Sequence, residues 1–248
     1  MLKNLATLGS ASVVSQLISL SATTVIARIY GVAEFGQFTL VLSLSALICV
    51  AATARYEFAT MNPKANEDAM GIIVLALSLA FAVCLIVFTI SYLFSDGLSN
   101  SSSALRWASC IAFIQACNQV LLKWANRLEY YVLMSASTVI LTLAVSMFQI
   151  AFHFTTPWLA NNGLVLGYGA GTFLSAFTLI LFLGKSMYRS ADFPGMVETA
   201  KRFWRFPAFA LPQGLLSKGV QEAPVFFITS FFGAETAGVF GLTRRVLN

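Results

Sequence analysis

An all-α, polytopic membrane helix bundle is the fold this sequence predicts. Hydrophobic residues make up 58% of the 248-residue chain and charged residues only 10%, with a mean hydropathy of +0.80. A water-soluble domain carries about 25% charged residues, so this chain has too few polar groups to cover a surface facing water. Its apolar residues are also gathered into runs of about 20, the length of helix that crosses a hydrocarbon core. A helix satisfies its own backbone hydrogen bonds, which an open strand in lipid does not.

Such runs fall near 5–30, 36–58, 70–94, 105–125, 130–152, 163–184 and 207–231, and an eighth begins near Gly238. The first is too long for the apolar core of a signal peptide and has no A-x-A-type cleavage site, so it is expected to stay in the membrane. It carries Ser12, Ser15, Gln16, Ser19 and Thr23 as a polar stripe at helical spacing. The third is almost wholly aliphatic or aromatic and is expected to face lipid. The fourth holds Gln115, Asn118, Gln119 and Asn126, and the fifth Ser135, Thr138, Thr142 and Gln149. Polar stripes in hydrocarbon must meet other helices or water. Three together favour a hydrated cavity lined by Ser15, Gln16, Ser19, Thr23, Gln115, Asn118, Thr138 and Thr142. The sixth run places Gly163, Gly167, Gly171 and Ser175 four apart, a face that admits a neighbouring helix closely. The seventh contains Pro207, Pro212 and Pro224. Each proline removes a helical hydrogen bond and permits bending, which makes this helix the expected hinge.

Lysine and arginine set the orientation. With the N-terminus in the cytoplasm, that side collects Lys3, Arg55, Lys64, Lys123, Arg127, Lys185, Arg189, Lys201, Arg202 and Arg205. The opposite side holds only Arg28 and Arg106, both at span ends. The net charge of +5 therefore reports topology and not nucleic-acid binding. Cys49, Cys84, Cys110 and Cys117 lie inside spans without metal-ligand or CxxC spacing, as reduced packing thiols do. Trp107, Trp124, Trp158 and Trp204 lie near span ends, where an aromatic belt forms, and His153 reads as an interfacial polar tip.

A charged side chain inside a span costs at least about 2.5–3.5 kcal/mol on insertion scales, so each needs a reason. Lys218 and Glu222 lie four apart on one face of the seventh helix. Two readings fit that spacing: a mutual ion pair, or a cationic contact for an anionic substrate with Glu222 as modulator or as a proton or ion site. Arg28 and Arg55 lie near span ends, within snorkelling reach of an interface. Arg244 and Arg245 fall deeper, in the eighth run. Arginine holds phosphate through paired hydrogen bonds, so Arg28, Lys218 and Arg244 are candidates for a positive cavity. The sequence contains no nucleophile–base set, phosphate loop or metal cluster. No cofactor is expected, and transport without covalent chemistry is expected in place of enzyme activity.

Two stretches of the chain are alike. At a constant offset of 202, Ile26, Gly31, Gly36, Phe38 and Leu40 align with Ile228, Gly233, Gly238, Phe240 and Leu242. Each copy ends one apolar run at a Gly and restarts after the next. Six spans lie between the copies' first helices, an even number, so both copies cross in the same direction, as parallel repeats do. The longest polar connection runs from Lys185 to Arg205 and contains Pro194-Gly195 and Lys201-Arg202-Phe203-Trp204-Arg205; its end is expected to lie along the membrane surface. These features divide the chain into an N-terminal six-helix lobe (1–184), a cytoplasmic linker (185–206) and the start of a second lobe (207–248). The last part would hold helix seven and the beginning of helix eight of a two-lobe transporter.

Arg55-Tyr56-Glu57-Phe58-Ala59, followed by Pro63 and Glu67-Asp68-Ala69, resembles the R-Y-E-x-A…P…E-A signature of bacterial oligosaccharide flippases. These are the O-antigen and capsule translocases of the multidrug/oligosaccharidyl-lipid/polysaccharide exporter superfamily. Ala27-Arg28-Ile29-Tyr30-Gly31…Glu34-Phe35-Gly36, Trp124-Ala125-Asn126-Arg127, Phe206-Pro207…Leu211-Pro212…Ala223-Pro224…Phe232-Gly233 and Gly238…Leu242-Thr243-Arg244-Arg245 are further matches, in order over almost the whole chain. The resemblance implies two six-helix lobes in the bacterial inner membrane. They would move an undecaprenyl-diphosphate-linked oligosaccharide between leaflets by alternating access, for lipopolysaccharide O-antigen, capsule or exopolysaccharide synthesis. Cationic residues would hold the diphosphate or acidic sugars, and an ion gradient would drive the cycle. By motif Arg28, Arg55 with Glu57, and Arg244 carry over; Lys218 and Glu222 rest on position alone.

The implied partners are the lipid bilayer, the lipid-linked oligosaccharide and other polysaccharide-assembly proteins. The chain covers the first lobe, helix seven and a few residues of helix eight. A fragment or truncated frame without activity, and a half completed by another chain or a homodimer, both remain open. A drug or small-ion exporter of the same superfamily is the functional alternative. A polysaccharide polymerase or ligase would need a sizeable outer loop, and the outer connections are short.

Overall fold

A computed structural model describes residues 2–63, 65–93, 99–189 and 195–247. The expectations placed on Lys64 and Pro194, and on the side chains of Lys3 and Arg189, lie outside the described residues. Eight α-helices appear among them: α1 (Leu2–Ile29), α2 (Val32–Thr53), α3 (Asn66–Leu93), α4 (Ser99–Arg127), α5 (Tyr131–His153), α6 (Pro157–Arg189), α7 (Met196–Arg202) and α8 (Leu211–Leu247). A 3-10 helix covers Tyr56–Met61 and a π turn covers Phe206–Ala210. The protein is an all-α helical bundle. Among the described residues six stretches are long and apolar enough to cross a membrane: Gly9–Ile29, Val32–Thr53, Asn66–Leu93, Tyr131–His153, Pro157–Tyr188 and Phe206–Val246.

The eight predicted runs reduce to six for two reasons. The seventh and eighth both lie in α8, which reverses at Gly233. Glu222 and Arg244 are 22 residues apart, about 33 Å along a straight helix at 1.5 Å per residue, yet their side chains lie 2.6 Å apart. Only a fold back between them allows that. Gly233 supplies it with φ 82° and ψ 178°, a backbone conformation open to glycine and closed to residues with a Cβ. The fourth run is helical as α4 but does not reach the apolarity of the others. It packs on α3 and on the 3-10 helix, and its Ser109 and Asn118 are buried, so protein neighbours accommodate its polar residues.

Three further expectations are corrected. The second run was expected to reach residue 58, but α2 stops at Thr53. Ala54 (φ 46°) and Arg55 (φ 60°) take left-handed backbone, and two such residues in succession turn the chain out of an α-helix. The third run faces lipid along only part of its length: Ile72, Ile73, Ala76 and Ala80 are buried, whereas Phe81, Leu85, Ile86 and Phe88 are exposed. Trp124 is fully buried and so is a core residue; Trp107 is half-buried, and Trp158 and Trp204 are exposed. The four cysteines are free thiols.

By contact the chain forms two compact units, Met1–Leu44 with Tyr131–Ser175 and Gln221–Asn248, and Ser45–Tyr130 with Ala176–Val220. Three of their borders fall inside α2, α6 and α8, and the fourth lies between α4 and α5.

In the first unit α1 packs on α5, and α5 and α6 meet through the small-residue face. A Cβ at Gly163 would strike Tyr30 and touch Phe152, one at Gly167 would strike Gln149, and one at Gly171 would strike Val145. Ser175 Oγ donates to the Ser137 carbonyl at 3.2 Å. Each step of four along α6 matches a step back along α5, so the pair is antiparallel with backbones close together.

In the second unit Cys49, Ala52, Ala80, Cys84, Ala112 and Ala116 form a core of small side chains, closed by Ile48, Val83 and Phe113. Arg127, at the end of α4, holds the turn before α3. Its guanidinium donates to the carbonyls of Thr60 (2.7 Å) and Ala65 (3.0 Å) and to Asn66 Oδ1 (3.1 Å). The 185–206 segment contains α7, which packs on α3 and is tied there by Arg202 to Asp68 at 2.9 Å. Tyr56 donates to the Ala200 carbonyl at 3.4 Å. Burial pushes the Tyr56 hydroxyl above its ordinary pKa, which keeps it a donor. Because an ammonium lacks the planar fork that reaches three acceptors, Arg127→Lys is expected to destabilise the protein by about 2 kcal/mol. Thermal unfolding in detergent checks this.

Candidate functional site

The repeat seen in the sequence is a physical contact in the first unit. A Cβ at Gly36 would run into the carbonyl of Ala234, and a Cβ at Gly238 into the carbonyl of Val32. At the offset of 202, Gly36 corresponds to Gly238 and Val32 to Ala234. The two contacts are therefore one contact seen from each copy, related by an internal two-fold. Gly238 also approaches Gly36, and Gly241 approaches Thr39, again equivalent positions. From Gly36 with Gly238 to Thr39 with Gly241 the positions rise together along both helices, so α2 and the second limb of α8 (234–247) run parallel. Small residues at the crossing let the backbones touch.

Beyond this crossing the second limb of α8 presents two adjacent arginines to different neighbours. Arg244 turns to the first limb, where Nη1 and Nη2 donate to the two oxygens of Glu222 at 2.6 and 2.8 Å. Ser43 of α2 donates to the same carboxylate at 2.9 Å. The Glu222 side chain is 6% exposed and that of Arg244 30%. This fork-to-fork pairing is the strongest geometry available to two such groups. Arg245 turns to α5, where Nη2 donates to Gln149 Oε1 at 3.2 Å. Its Nη1 is buried without a hydrogen-bond partner. Gln149 is itself fully buried. It donates to the Leu164 carbonyl at 2.9 Å, and its own carbonyl accepts from Tyr30 at 2.6 Å. Burial, reinforced by Glu34, pushes the Tyr30 hydroxyl up to about 12, so it remains a donor at any physiological pH.

Arg28 is exposed near the end of α1 and joins neither network. The predicted cavity stripes are largely satisfied by their own helices. Thr23 donates to the Ser19 carbonyl, Thr138 to Met134 and Thr142 to Thr138. Gln16 is exposed and Ser19 half-buried. Ser15 is buried and its hydroxyl has no hydrogen-bond partner. Pro224 lies within the first limb of α8, and the reversal falls at Gly233 and not at a proline.

The second unit holds the other candidates. Arg55, in left-handed backbone, caps the 3-10 helix and lies 3.5 Å from Glu57. Its guanidinium sits over Phe58 at 5.1 Å, and Lys123 Nζ over the same ring at 4.6 Å, both within cation–π range. Glu57 is buried, and its second oxygen has no hydrogen-bond partner. Gly214 backs onto the Arg55 side chain. Lys218 is half-buried, Gln115 half-buried and Asn118 buried. Pro207 lies in the π turn and Pro212 at the start of α8; the wide turn accommodates the missing proline N–H.

Sequence reasoning missed Ser43, Tyr30 and Arg245 as members of a polar cluster, and it saw Gln149 only as part of a stripe. The available signal was the Arg244-Arg245 doublet. Two cations side by side on a helix point in directions about 100° apart and so need two separate sets of partners.

No family model matches this chain, and no curated protein matches it. A solved structure described as "protein A" is similar in fold, with a TM-score of 0.59 at 13% sequence identity over 98% of this chain. The match covers 60% of that chain, so the present chain spans less than two thirds of its length.

Proposed function

We propose that this chain is the N-terminal lobe and the start of the second lobe of an inner-membrane translocase for undecaprenyl-diphosphate-linked oligosaccharide, working by alternating access. The observation that carries the reading is the reciprocal crossing of Gly36 on Ala234 and Gly238 on Val32. A two-fold contact between parallel repeats is the joint on which two homologous halves can rock. The arginines beside it supply phosphate-binding chemistry, with Arg244 open enough to meet a solute and Arg245 carrying a buried free donor. The left-handed corner at Arg55, with the carboxylate of Glu57 beside it, agrees with the R-Y-E signature. Arg28, Arg55, Lys218 and Arg244 are the proposed substrate cations, with the N-terminus in the cytoplasm.

A leaflet-exchange assay in proteoliposomes tests this, using a lipid-linked oligosaccharide and the chain in its full-length context. Transfer of the sugar lipid is expected, and Arg28→Ala or Arg244→Ala is expected to slow it at least tenfold. Export of cationic dyes without sugar-lipid exchange would replace the translocase by a drug exporter. Normal exchange by both variants would remove the cationic site.

A further inference from the structure

We propose that Lys123 joins Arg55 in a clamp for the diphosphate of a lipid-linked substrate, and that Lys123 selects a diphosphate over a monophosphate. The inference deepens the reading above and rests on it. Both cations face one ring of the second unit. The Arg55 guanidinium lies 5.1 Å and Lys123 Nζ 4.6 Å from the centre of Phe58. They come from distant parts of the chain, Arg55 from the left-handed corner after α2 and Lys123 from near the end of α4. Phe58 is 44% exposed, so a solute can reach this place.

The charges there do not cancel. Glu57 lies 3.5 Å from Arg55, and its side chain is 2% exposed against 19% for the arginine. A solute meets the cation and not the acid, but that pair alone offers an anion no net charge. Lys123 restores it. Among the described residues its ammonium makes no hydrogen bond or ion pair, only the contact with Phe58. A ring face attracts a cation without accepting hydrogen bonds as an oxygen does, so the N–H donors of Lys123 stay available to a ligand. Two like charges held against one ring also repel, and an anion shared by them relieves the repulsion.

The two cations differ in what they hold. A guanidinium takes a phosphoryl group through two parallel hydrogen bonds, whereas an ammonium acts as a point charge. A monophosphate is satisfied on the Arg55 fork alone. A diphosphate brings a second phosphoryl group, and Lys123, held at the shared ring, meets it. Gly214 of α8 keeps the fork in place, because a Cβ there would run into the Arg55 guanidinium. The topology proposed above puts this end of the bundle at the cytoplasmic face, where such a substrate enters.

The test is a binding titration of the full chain in phosphatidylcholine nanodiscs with farnesyl diphosphate and farnesyl monophosphate. Wild type is expected to bind the diphosphate more tightly. Lys123→Gln is expected to weaken diphosphate binding about tenfold, the worth of one charge-assisted hydrogen bond, and to leave monophosphate binding within about twofold. Lys123→Arg is expected to keep the preference, and Phe58→Leu, which removes the ring and spares both cations, to shrink it. Equal affinity of wild type for the two lipids would overturn the clamp with no variant needed. So would an unchanged preference in Lys123→Gln, or an equal loss of both ligands, the mark of a general surface charge. Inorganic pyrophosphate separates the two sources of the group. Weaker binding than farnesyl diphosphate is expected for a lipid head; equal binding would keep the clamp and assign it a free anion. Lys123-dependent selection without leaflet exchange of sugar lipid would sink the translocase and leave the clamp standing. Exchange by a wild type that binds both farnesyl lipids alike would do the reverse.

Discussion

Arg244→Ala is expected to lower stability by about 3 kcal/mol, the lower end of what removal of one partner from a buried ion pair costs. Glu222→Ala is expected to cost only about 1 kcal/mol, in the range of a lost hydrogen bond. The asymmetry follows from burial. Without Arg244, a carboxylate that is 6% exposed loses both charge-assisted hydrogen bonds from the guanidinium while it stays out of reach of bulk water. Without Glu222, a guanidinium that is 30% exposed extends toward a wetter region on its long stem. The double variant Glu222→Gln/Arg244→Gln is expected to fall closer to wild type than Arg244→Ala alone, because two neutral amides leave no orphan charge. Thermal unfolding of the four proteins in one detergent measures these differences. Equal losses for the two single variants would show that the pair is more hydrated than its geometry indicates.

Gly36→Ala is expected to cost about 3 kcal/mol, the upper end of overpacking penalties, although alanine is the better helix former. The added methyl group meets a backbone carbonyl at Ala234, which cannot rotate away as a side-chain tip does. The two-fold relation makes a sharper demand: Gly238→Ala must cost about as much, because it meets Val32 in the equivalent way. Gly31→Ala, with open space around it, serves as the control and should change stability by less than about 0.5 kcal/mol. Unequal losses at Gly36 and Gly238 would mean that the resemblance of the two segments does not extend to their packing.

Much of the bundle was legible in the sequence because hydrocarbon leaves a helix few alternatives. The apolar runs mark helices, the glycines spaced by four on α6 mark its partner face, and the Gly31 and Gly233 breaks mark chain ends of helices. Legibility failed where protein, not lipid, surrounds a segment. The apolar third run buries half its length against α4 and the 3-10 helix, and the more polar fourth run is tolerated for the same reason. The left-handed corner at Ala54 and Arg55 left no trace in hydropathy, since neither residue is a glycine.

The candidate site divides in the same way. By itself the sequence determined which charges lie within helices and that two arginines stand side by side, because composition and spacing are properties of one segment. It also exposed the repeat, whose copies share residue types at a fixed offset. Only the tertiary structure decided how those charges are matched. Local spacing offered Lys218 to Glu222, four residues away on the same face. The reversal at Gly233 brought Arg244 back from 22 residues away and placed a planar fork on both carboxylate oxygens. A fixed bidentate contact holds a buried carboxylate better than an ammonium on a flexible stem, and the chain must first fold back on itself before that contact exists.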